Sequence, residues 1–337
     1  MQKPDITWLN GLLACDDCGT TLEPSDRGPQ MQCLKCGNHW QTDGLTFTAQ
    51  HMSSLDGLDK TSRAFFDTHS SAESNLVTIN TYLKTLYQIA NFDYVEYASA
   101  LAAKLDSISI VEIGCGDGRT INRLRKNHPS RNIIGIDVSS EKLNEAAYES
   151  LMSPPQSRDA SVAFVQCLGR RVPIVSEMAD LVLLLHVLHH TEGLLLVDEC
   201  ARILKPGGTL LIVDISSRNP FNLATRALWF FLPSFIRTFF NQEYIVDGQA
   251  PPARLVSPTS LTKKARLAGL KAGLIEDDGL FAFLLVYLIL IVPFLQKPYM
   301  LLVLTLLRRF ERFLLRTTPA SYFAIGLTRT YQKNIKS

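Results

Sequence analysis

The chain has 337 residues, 46% of them hydrophobic, which accommodates about two domains and excludes an intrinsically disordered chain. With only 19 Gly, 16 Pro and seven Cys, a collagen-like chain and a disulfide scaffold are excluded as well. A formal net charge of +2 argues against a protein built mainly to neutralise many phosphates.

The charge is unevenly distributed along the chain. Residues 1–50 hold three basic and six acidic side chains, a net charge of −3, whereas residues 297–337 hold eight basic and one acidic, a net charge of +7. The near-neutral total is therefore a cancellation between an acidic start and a basic end. The first residues lack the basic region and long apolar run of a signal peptide, so we expect a cytoplasmic protein with reduced thiols.

Two Cys-x-x-Cys pairs predict a zinc ribbon over residues 1–50. The four ligands would be Cys15, Cys18, Cys33 and Cys36. Each pair forms a tight knuckle that directs two thiolates at one ion, and a glycine follows each knuckle where the backbone must turn. Four thiolates complete a tetrahedral sphere, so we expect a structural zinc ion, with His39 not needed as a ligand. The acidic charge of this segment favours a folding aid or protein contact over a nucleic-acid-binding finger.

Residues 51–107 are predicted to form a helical linker or N-terminal cap, because a polar stretch is followed by apolar residues at helical spacing. Beyond residue 108, apolar strands alternate with helices. The predicted strands are Ser109–Ile113, Ile133–Asp137, Ala163–Cys167, Leu181–Leu185, Thr209–Asp214 and Gly273–Glu276; the predicted helices are Arg119–Asn127, Ser140–Leu151, Leu194–Leu204 and Thr259–Leu267. This alternation, with nearly continuous Val, Ile and Leu in the strands, predicts an α/β fold with a parallel sheet covered on both faces.

A glycine-rich turn, Gly114-Cys115-Gly116-Asp117-Gly118, connects the first of these strands to a helix. The glycines permit a sharp turn and a close approach of the backbone to a ligand. The turn lacks the G-x-x-G spacing and the lysine of pyrophosphate-binding loops. Glu112 and Asp117 would repel a phosphate but suit a ligand that carries an ammonium and a sulfonium cation, which is S-adenosylmethionine. The alternative, a nicotinamide-dependent oxidoreductase, is disfavoured by this acidic rim.

The run Ile110–Arg119 resembles motif I of the class I S-adenosylmethionine-dependent methyltransferases of the type 11 kind. Three further runs resemble later motifs in the expected order: Ile133–Ser139, Ala179–Val182 with Leu188–His190, and Arg202–Thr209. The cysteine-rich start resembles the zinc ribbons that occur fused to, or bound beside, methyltransferases. The resemblance implies a Rossmann-like sheet in a methyltransferase domain over 108–337. Its last strand, Ser321–Thr328, would insert antiparallel between the fifth and sixth strands.

The resemblance also implies a set of residues that bind the cofactor. These are Glu112, Gly114, Gly116, Asp117, Gly118, Asp137, Val138, Gln166, Leu168 and His186. Asp137 ends the second strand, where its carboxylate would accept hydrogen bonds from both ribose hydroxyls. Leu168 stands where the family often has an acid that contacts the adenine amine, so adenine recognition would rest on backbone groups or on Gln166.

Three histidines follow the predicted fourth strand, where ligands sit in this type of fold. Methyl transfer to a hydroxyl requires a base, and His186, His189 and His190 are therefore candidates for that role. Asp214, after the fifth strand, is a further candidate. The alternative is that the His189-His190 pair opens a loop and packs against the sheet.

A hydrophobic insert is predicted over residues 279–317. Its most apolar run, residues 280–295, is shorter than the ~20 residues that a membrane span needs, and Pro293 interrupts it. Because the strands on either side would belong to one sheet, a single crossing of the bilayer is excluded. The insert would either form a lid over a hydrophobic acceptor or, as we favour, dip into one leaflet with Arg308–Arg316 meeting anionic headgroups. The aromatic stretch Leu228–Phe240 fits either arrangement.

Together these features predict an S-adenosylmethionine-dependent methyltransferase that O-methylates a hydrophobic or lipid-linked small molecule. We expect peripheral membrane contact through residues 280–316, at the cytoplasmic face of a membrane, and no nucleic-acid partner; no oligomeric state is predicted. Two alternatives remain open. One is an RNA methyltransferase whose ribbon binds the substrate, and the other is a non-catalytic protein that binds S-adenosylmethionine or lipid.

Overall fold

The computed structural model describes residues 7–25, 30–42, 45–49, 94–106, 108–128, 131–152, 161–167, 171–191, 194–218, 255–278, 297, 299–315, 324 and 326–335. The strands are β1 (Glu23–Pro24), β2 (Gln30–Gln32), β3 (His39–Thr42), β4 (Thr46–Ala49), β5 (Ser109–Ile113), β6 (Asn132–Asp137), β7 (Ser161–Gln166), β8 (Ala179–Leu185), β9 (Leu204–Ile215), β10 (Leu270–Asp278) and β11 (Gly326–Lys333). The α-helices are α1 (Tyr94–Lys104), α2 (Arg119–Asn127), α3 (Ser140–Met152), α4 (Leu195–Ile203), α5 (Pro258–Leu267) and α6 (Tyr299–Leu315).

All these strands form one sheet in the order β1-β2-β3-β4-β7-β6-β5-β8-β9-β11-β10. The pairs from β4 through β9 are parallel, and the pairs at both ends of the sheet are antiparallel. The predicted α/β fold class is therefore confirmed.

The strand β11 lies between β9 and β10 and is antiparallel to both, as the sequence predicted. The predicted end of this strand, Thr328, was wrong, because the strand continues to Lys333; residues 321–323 and 325 of the predicted segment lie outside the described residues. Gly326 pairs with Ile215 and with Asp278, which are the last residues of the two neighbouring strands.

Alternate residues of the central strands pack into two hydrophobic clusters, one on each face of the sheet. Val111 and Ile113 belong to the cluster that α4 and α5 cover, whereas Ile110 belongs to the cluster that α1, α2 and α3 cover. Successive side chains of a strand point to opposite faces, so strands that are apolar at every position are buried on both sides. The predicted helices on both faces are present.

The N-terminal ribbon extends the methyltransferase-like part of the sheet. Strand β4 pairs in parallel with β7, with Thr46 opposite Phe164 and Phe47 opposite Val165. Apolar ribbon residues such as Leu13 and Trp40 belong to the same hydrophobic cluster as the central strands. The cysteine-rich segment and the α/β core thus share one sheet and one core.

Several predicted segments fall outside the described residues, namely 51–93, 228–240 and the whole apolar run 280–295. Helix α1 lies within the predicted linker, and α6 lies within the predicted insert. Among the residues that the structure describes, none of the helices combines the length and apolar character needed to cross a bilayer.

Candidate active site

The glycine-rich turn between β5 and α2 leaves room for a ligand. Gly114 and Gly118 have φ angles of 75° and 76°, and a Cβ atom at Gly114 would lie 2.3 Å from Val187 Cγ2. A Cβ atom at Gly118 would lie 2.8 Å from Ala146 Cβ, so neither position accepts a side chain. A Cβ atom at Gly116 would meet nothing within 4 Å. The turn is therefore tightly packed at both ends and open in the middle, where a ligand could approach the backbone.

Asp137, the last residue of β6, lies directly beside this turn. Its Oδ2 atom accepts a hydrogen bond from the Gly116 amide at 2.8 Å, and its Oδ1 atom accepts one from the Ser139 amide at 2.9 Å. Each carboxylate oxygen has a second lone pair, so two further hydroxyl donors can be accepted. Burial raises the pKa of Asp137, and the backbone donors oppose that rise. The carboxylate is thus fixed by the backbone in a position that suits a ribose diol.

Two buried acceptors near the turn have no donor in the described part of the chain. Glu112 in β5 is 2% exposed and its Oε2 atom has no hydrogen-bond partner there. Burial raises the pKa of Glu112 to about 8; a hydrogen bond from the Thr120 side chain lowers it, while the charges of Asp117 and Asp137 raise it further. Gln166, the last residue of β7, donates from Nε2 to the Val138 carbonyl at 2.9 Å and leaves Oε1 buried without a donor. A ligand with an ammonium group and an aromatic amine supplies the two missing donors.

The remaining predicted cofactor residues, together with Cys115 in the turn, differ in their surroundings. The Asp117 carboxylate accepts a hydrogen bond from Arg119 Nε at 2.8 Å, so its charge is partly compensated by an exposed cation. Val138 contributes its carbonyl to Gln166 and is half-buried. Leu168 lies outside the described residues. Burial and nearby carboxylates raise the pKa of the Cys115 thiol far above its ordinary value, which makes this cysteine unsuitable as a nucleophile.

His186 directly follows β8 and adopts a left-handed backbone conformation, with φ 59°. A residue with a Cβ atom rarely adopts this conformation, and such strain is often found at functional sites. The His186 amide donates to the Val213 carbonyl at 2.7 Å, which anchors the strained residue to β9. Its exposed ring lies edge-on to the Tyr94 ring, with centroids 5.1 Å apart. Desolvation by the surrounding protein lowers the pKa of His186, Asp214 opposes that change and His189 adds to it, so the ring is neutral near pH 7.

His189 forms a buried pair with Asp214, which lies near the end of β9. Nδ1 of His189 is 2.8 Å from Asp214 Oδ1, and the other carboxylate oxygen accepts from the Leu188 amide at 2.8 Å. Asp214 is completely buried and His189 is 8% exposed. If Nδ1 donates to the carboxylate, Nε2 of the neutral ring is left as an acceptor. The two residues were singled out separately in the sequence, and the fold brings them together.

His190 is the weakest of the three predicted bases. Burial lowers its pKa to about 3, and the neighbouring His189 contributes to the same effect. A group with so low a pKa holds a proton poorly at neutral pH, so it is a poor general base. The structure therefore leaves His186 and His189 as the stronger candidates.

The four N-terminal cysteines form one compact cluster. Their sulfur atoms all lie within 4.8 Å of one another, and the Cys15–Cys36 and Cys18–Cys33 distances are 3.5 and 3.4 Å. Four sulfurs at ~2.3 Å from one zinc ion would lie roughly 3.8 Å apart, so the cluster has the size of a thiolate tetrahedron. The two knuckles have equivalent hydrogen bonds, from the Gly19 amide to the Cys15 carbonyl and from the Gly37 amide to the Cys33 carbonyl. Both glycines have positive φ, which agrees with the turn that the sequence predicted after each knuckle.

One feature of the site, the position of Tyr94, gave no signal in the sequence. Tyr94 begins α1 and places its ring against His186, although no motif marks this tyrosine. Asp180, at the start of β8, accepts hydrogen bonds from the Ile108 and Ser109 amides and pairs with Lys205 at 2.9 Å. These bonds fix the starts of β5, β8 and β9 relative to one another. They lie at the edge of the sheet opposite to the glycine-rich turn.

Comparison with known proteins agrees with this geometry. Residues 111–212 match the family model described as a methyltransferase domain. A curated relative, a ubiquinone biosynthesis O-methyltransferase from Chelativorans sp. (strain BNC1), is 24% identical over 170 residues, which are 50% of this chain and 61% of the relative. The chain thus spans less than two thirds of that relative.

Among solved structures, magnesium protoporphyrin IX methyltransferase from Synechocystis PCC 6803, with bound SAH, has a TM-score of 0.51 at 12% identity; the match covers 82% of this chain and 99% of that one. A putative sarcosine dimethylglycine methyltransferase from Galdieria sulphuraria has a TM-score of 0.48 at 12% identity and covers 73% of this chain and 87% of that one. The similarity to the Synechocystis structure, with a TM-score of 0.51, shows that the two chains share the same fold.

Residues 111–212 are therefore similar in sequence to a methyltransferase domain. The fold that the sequence predicted is confirmed.

Proposed function

We propose that the protein transfers a methyl group from S-adenosylmethionine to a hydroxyl of a hydrophobic or lipid-linked acceptor. The observation that carries the proposal is the arrangement around Gly116. An open turn lies beside the backbone-fixed carboxylate of Asp137 and near two buried acceptors, Glu112 Oε2 and Gln166 Oε1, that have no donor in the described structure. The fit to a cofactor with an ammonium, a ribose diol and an adenine amine supports this choice. The O-methyltransferase relative supports oxygen as the acceptor atom.

Each cofactor contact in the proposal belongs to a particular residue. Glu112 would hold the ammonium group, Asp137 both ribose hydroxyls, and Gln166 the adenine amine. The cofactor supplies an electrophilic methyl group bonded to a sulfonium sulfur. His186, exposed at the same edge of the sheet, would take the proton from the acceptor hydroxyl as that oxygen forms its bond to carbon.

We further infer that Cys15, Cys18, Cys33 and Cys36 hold one structural zinc ion. The sulfur spacing supports this inference, because it matches the edge of a zinc–thiolate tetrahedron. Four thiolates leave no open coordination position. The metal would therefore fix the two knuckles and take no part in methyl transfer.

The cofactor site is tested by calorimetry with Asp137→Ala. We expect the affinity for S-adenosylmethionine to fall at least about tenfold, since two hydrogen bonds to a charged group, each worth roughly 1.5–3 kcal/mol, are lost. Asp180→Asn is the matched control, because this acid lies at the opposite edge of the sheet, and it should leave the affinity unchanged. Equal affinities of wild type and Asp137→Ala would overturn the ribose assignment.

The base is tested with His186→Asn, because asparagine tolerates the left-handed backbone but does not accept a proton near neutral pH. With methyl-labelled cofactor and a lipid extract from cells that lack the gene, we expect kcat to fall about a hundredfold or more. Cofactor affinity should change less than about twofold.

The pH profile gives a second measurement. The pKa of His186 is lowered, so the base is deprotonated at neutral pH and wild-type activity should be lost only as the pH falls below the ordinary histidine pKa of about 6.5. In His186→Asn this acid limb should disappear. A variant with wild-type kcat, or with the same acid limb, would contradict the role.

A further inference from the structure

Helix α6 carries an exposed apolar face. Leu302, Leu306, Phe310 and Phe313 are spaced on one side of the helix, and their exposed fractions are 63%, 54%, 56% and 68%. Tyr299 and Val303 lie beside them and are also exposed. We call these six residues the outer face of α6. Large side chains of this kind are seldom exposed together on a helix without an interaction partner.

The opposite side of α6 is buried and contains an ion pair. Arg308 and Glu311 are 4% and 0% exposed, and Arg308 Nη1 lies 2.9 Å from Glu311 Oε2. The prediction that Arg308 meets anionic headgroups was therefore wrong, because this arginine points inward and pairs with the Glu311 carboxylate. Glu311 is the only acidic residue in the α6 sequence. Its burial leaves no carboxylate on the outside of this helix.

Among the described side chains in α6 and just before it, the exposed charged residues are basic, namely Arg309 and Lys297. A helix with Leu and Phe on one side, basic residues nearby and no exposed acid has the composition of helices that lie in the interface of an anionic bilayer. A protein partner would need hydrogen-bonding groups around the apolar centre, and the six residues of the outer face supply only the Tyr299 hydroxyl.

The topology places this helix on a connection that begins and ends beside the carboxyl end of β9, near the candidate active site. The chain leaves the sheet at Asp278 and rejoins it at Gly326, and these two residues pair with each other. Gly326 also pairs with Ile215 at the carboxyl end of β9, next to the Asp214–His189 pair. Helix α6 contacts β10, a strand that carries two further exposed apolar residues, Leu274 and Ile275.

We propose that the outer face of α6 docks onto the surface of an anionic lipid bilayer and that lipid-linked acceptors enter the active site from there. The second half of this proposal rests on the proposed function, whereas the docking does not. The apolar residues would insert at the level of the headgroups, and Arg309 and Lys297 would contact lipid phosphates. The sequence immediately before α6 supports a lipid surface over other partners, because residues 280–295 are the most apolar run of the chain.

Docking is measured by co-sedimentation of the full chain with vesicles of phosphatidylcholine alone or mixed with phosphatidylglycerol. We expect binding to the anionic vesicles, weaker binding to the neutral ones, and a decrease at high salt. The double variant Phe310→Ser/Phe313→Ser should lower the partition coefficient at least about tenfold, because two exposed aromatic side chains no longer insert. Arg309→Gln should weaken binding to anionic vesicles by about fivefold, the equivalent of ~1 kcal/mol per basic residue.

The matched control is Leu267→Ser/Ile335→Ser, which removes two apolar residues of 76% and 75% exposure that lie away from α6. It should bind vesicles as wild type does. Thermal unfolding checks that every variant is folded, and calorimetry with S-adenosylmethionine tests the proposed function separately, so the two proposals can fail independently. Absence of binding to anionic vesicles would overturn the docking proposal, as would equal losses in both double variants. Self-association without vesicles that Phe310→Ser/Phe313→Ser abolishes would also overturn it, because the face would then be an interface between copies of the chain.

Discussion

Glu112→Gln is expected to stabilise the cofactor-free protein and, in the same variant, to weaken cofactor binding. The folded-state pKa of Glu112 is raised from 4.5 to about 8, mainly by burial, so the folded protein binds a proton that the unfolded chain has already released. Stability should therefore fall as the pH rises from 4.5 towards 8. With about 1.36 kcal/mol for each pKa unit, the buried carboxylate costs on the order of 4–5 kcal/mol at pH 9.

Glutamine removes this cost because it carries no charge. A buried amide without a partner has a smaller cost, about 1–3 kcal/mol, so we expect a net stabilisation of roughly 2–3 kcal/mol at pH 9 and little gain at pH 4.5. Thermal unfolding of wild type and variant at both pH values measures this difference. The ammonium group of S-adenosylmethionine would lose its counter-charge, and calorimetry should show affinity lowered about tenfold or more.

The same substitution at Glu199 is the control and should have the opposite sign. Glu199 is bonded to Arg202 at 2.7 Å and to the Val172 amide at 2.8 Å, so Glu199→Gln removes existing interactions and should lower the melting temperature at both pH values. If Glu112→Gln were destabilising at pH 9, or if it bound the cofactor as wild type does, the assignment of Glu112 to the ammonium group would be wrong.

Proton release upon binding gives an independent measurement of this group. At pH 7 most of the Glu112 side chains in the cofactor-free protein are protonated, since the pKa is about 8. A bound cation favours the carboxylate and lowers that pKa, so binding should release protons. Calorimetry in buffers with different ionisation enthalpies detects them, and the release should be smaller in Glu112→Gln. Subtracting the proton release of Glu112→Gln from that of the wild type removes the contribution of the cofactor's own amine.

The local features of the fold were predictable from the sequence because they depend on nearest neighbours in the chain. The turn at Gly114–Gly118 needs positive φ at three glycines, and all three have it. The strands β5, β6 and β8 are continuous apolar runs, and these elements appear with bounds within a few residues of the prediction.

Contacts between distant parts of the chain were not predictable in this way. Strand β4 is a short segment in which only Phe47 is strongly apolar, and it pairs with a strand more than a hundred residues later. The electrostatic environment of Glu112 depends on burial and on Asp137, which arrives from another strand. The ion pair between Arg308 and Glu311 follows from i,i+3 spacing on a helix, but the direction it faces depends on the packing of α6.

Removal of the proposed zinc ion should destabilise the proposed cofactor site as well as the ribbon. Cys36 is exposed, so Cys36→Ser changes a ligand without creating a cavity in the core. We expect zinc content to fall from about one ion per chain to nearly none, because a structural site with three thiolates and a hydroxyl loses much of a binding free energy on the order of 10 kcal/mol. The melting temperature should fall by about 10 °C or more. Metal analysis and thermal unfolding measure these changes.

Loss of the zinc ion should also weaken cofactor binding, because the ribbon contacts the segment that follows β7. The Arg171 guanidinium lies against the first knuckle, where its nearest atom would be 2.0 Å from a Cβ atom at Gly19, and the Ala14 amide donates to the Pro173 carbonyl at 3.1 Å. Gln166, the proposed adenine contact, ends the strand that pairs with β4. A disordered ribbon would leave β7 as an unpaired edge, so affinity for S-adenosylmethionine should fall several-fold in Cys36→Ser.

Cys200→Ser distinguishes the loss of the metal from the loss of a thiol. Cys200 is completely buried in the core and lies outside the cysteine cluster, so this variant should melt at a lower temperature while it keeps one zinc ion per chain. Added chelator should then lower the melting temperature of wild type and Cys200→Ser, and leave Cys36→Ser unaffected. If Cys36→Ser kept its zinc, the four-thiolate site would be wrong. If it lost zinc with unchanged stability and cofactor affinity, the shared sheet would carry no coupling between the ribbon and the methyltransferase domain.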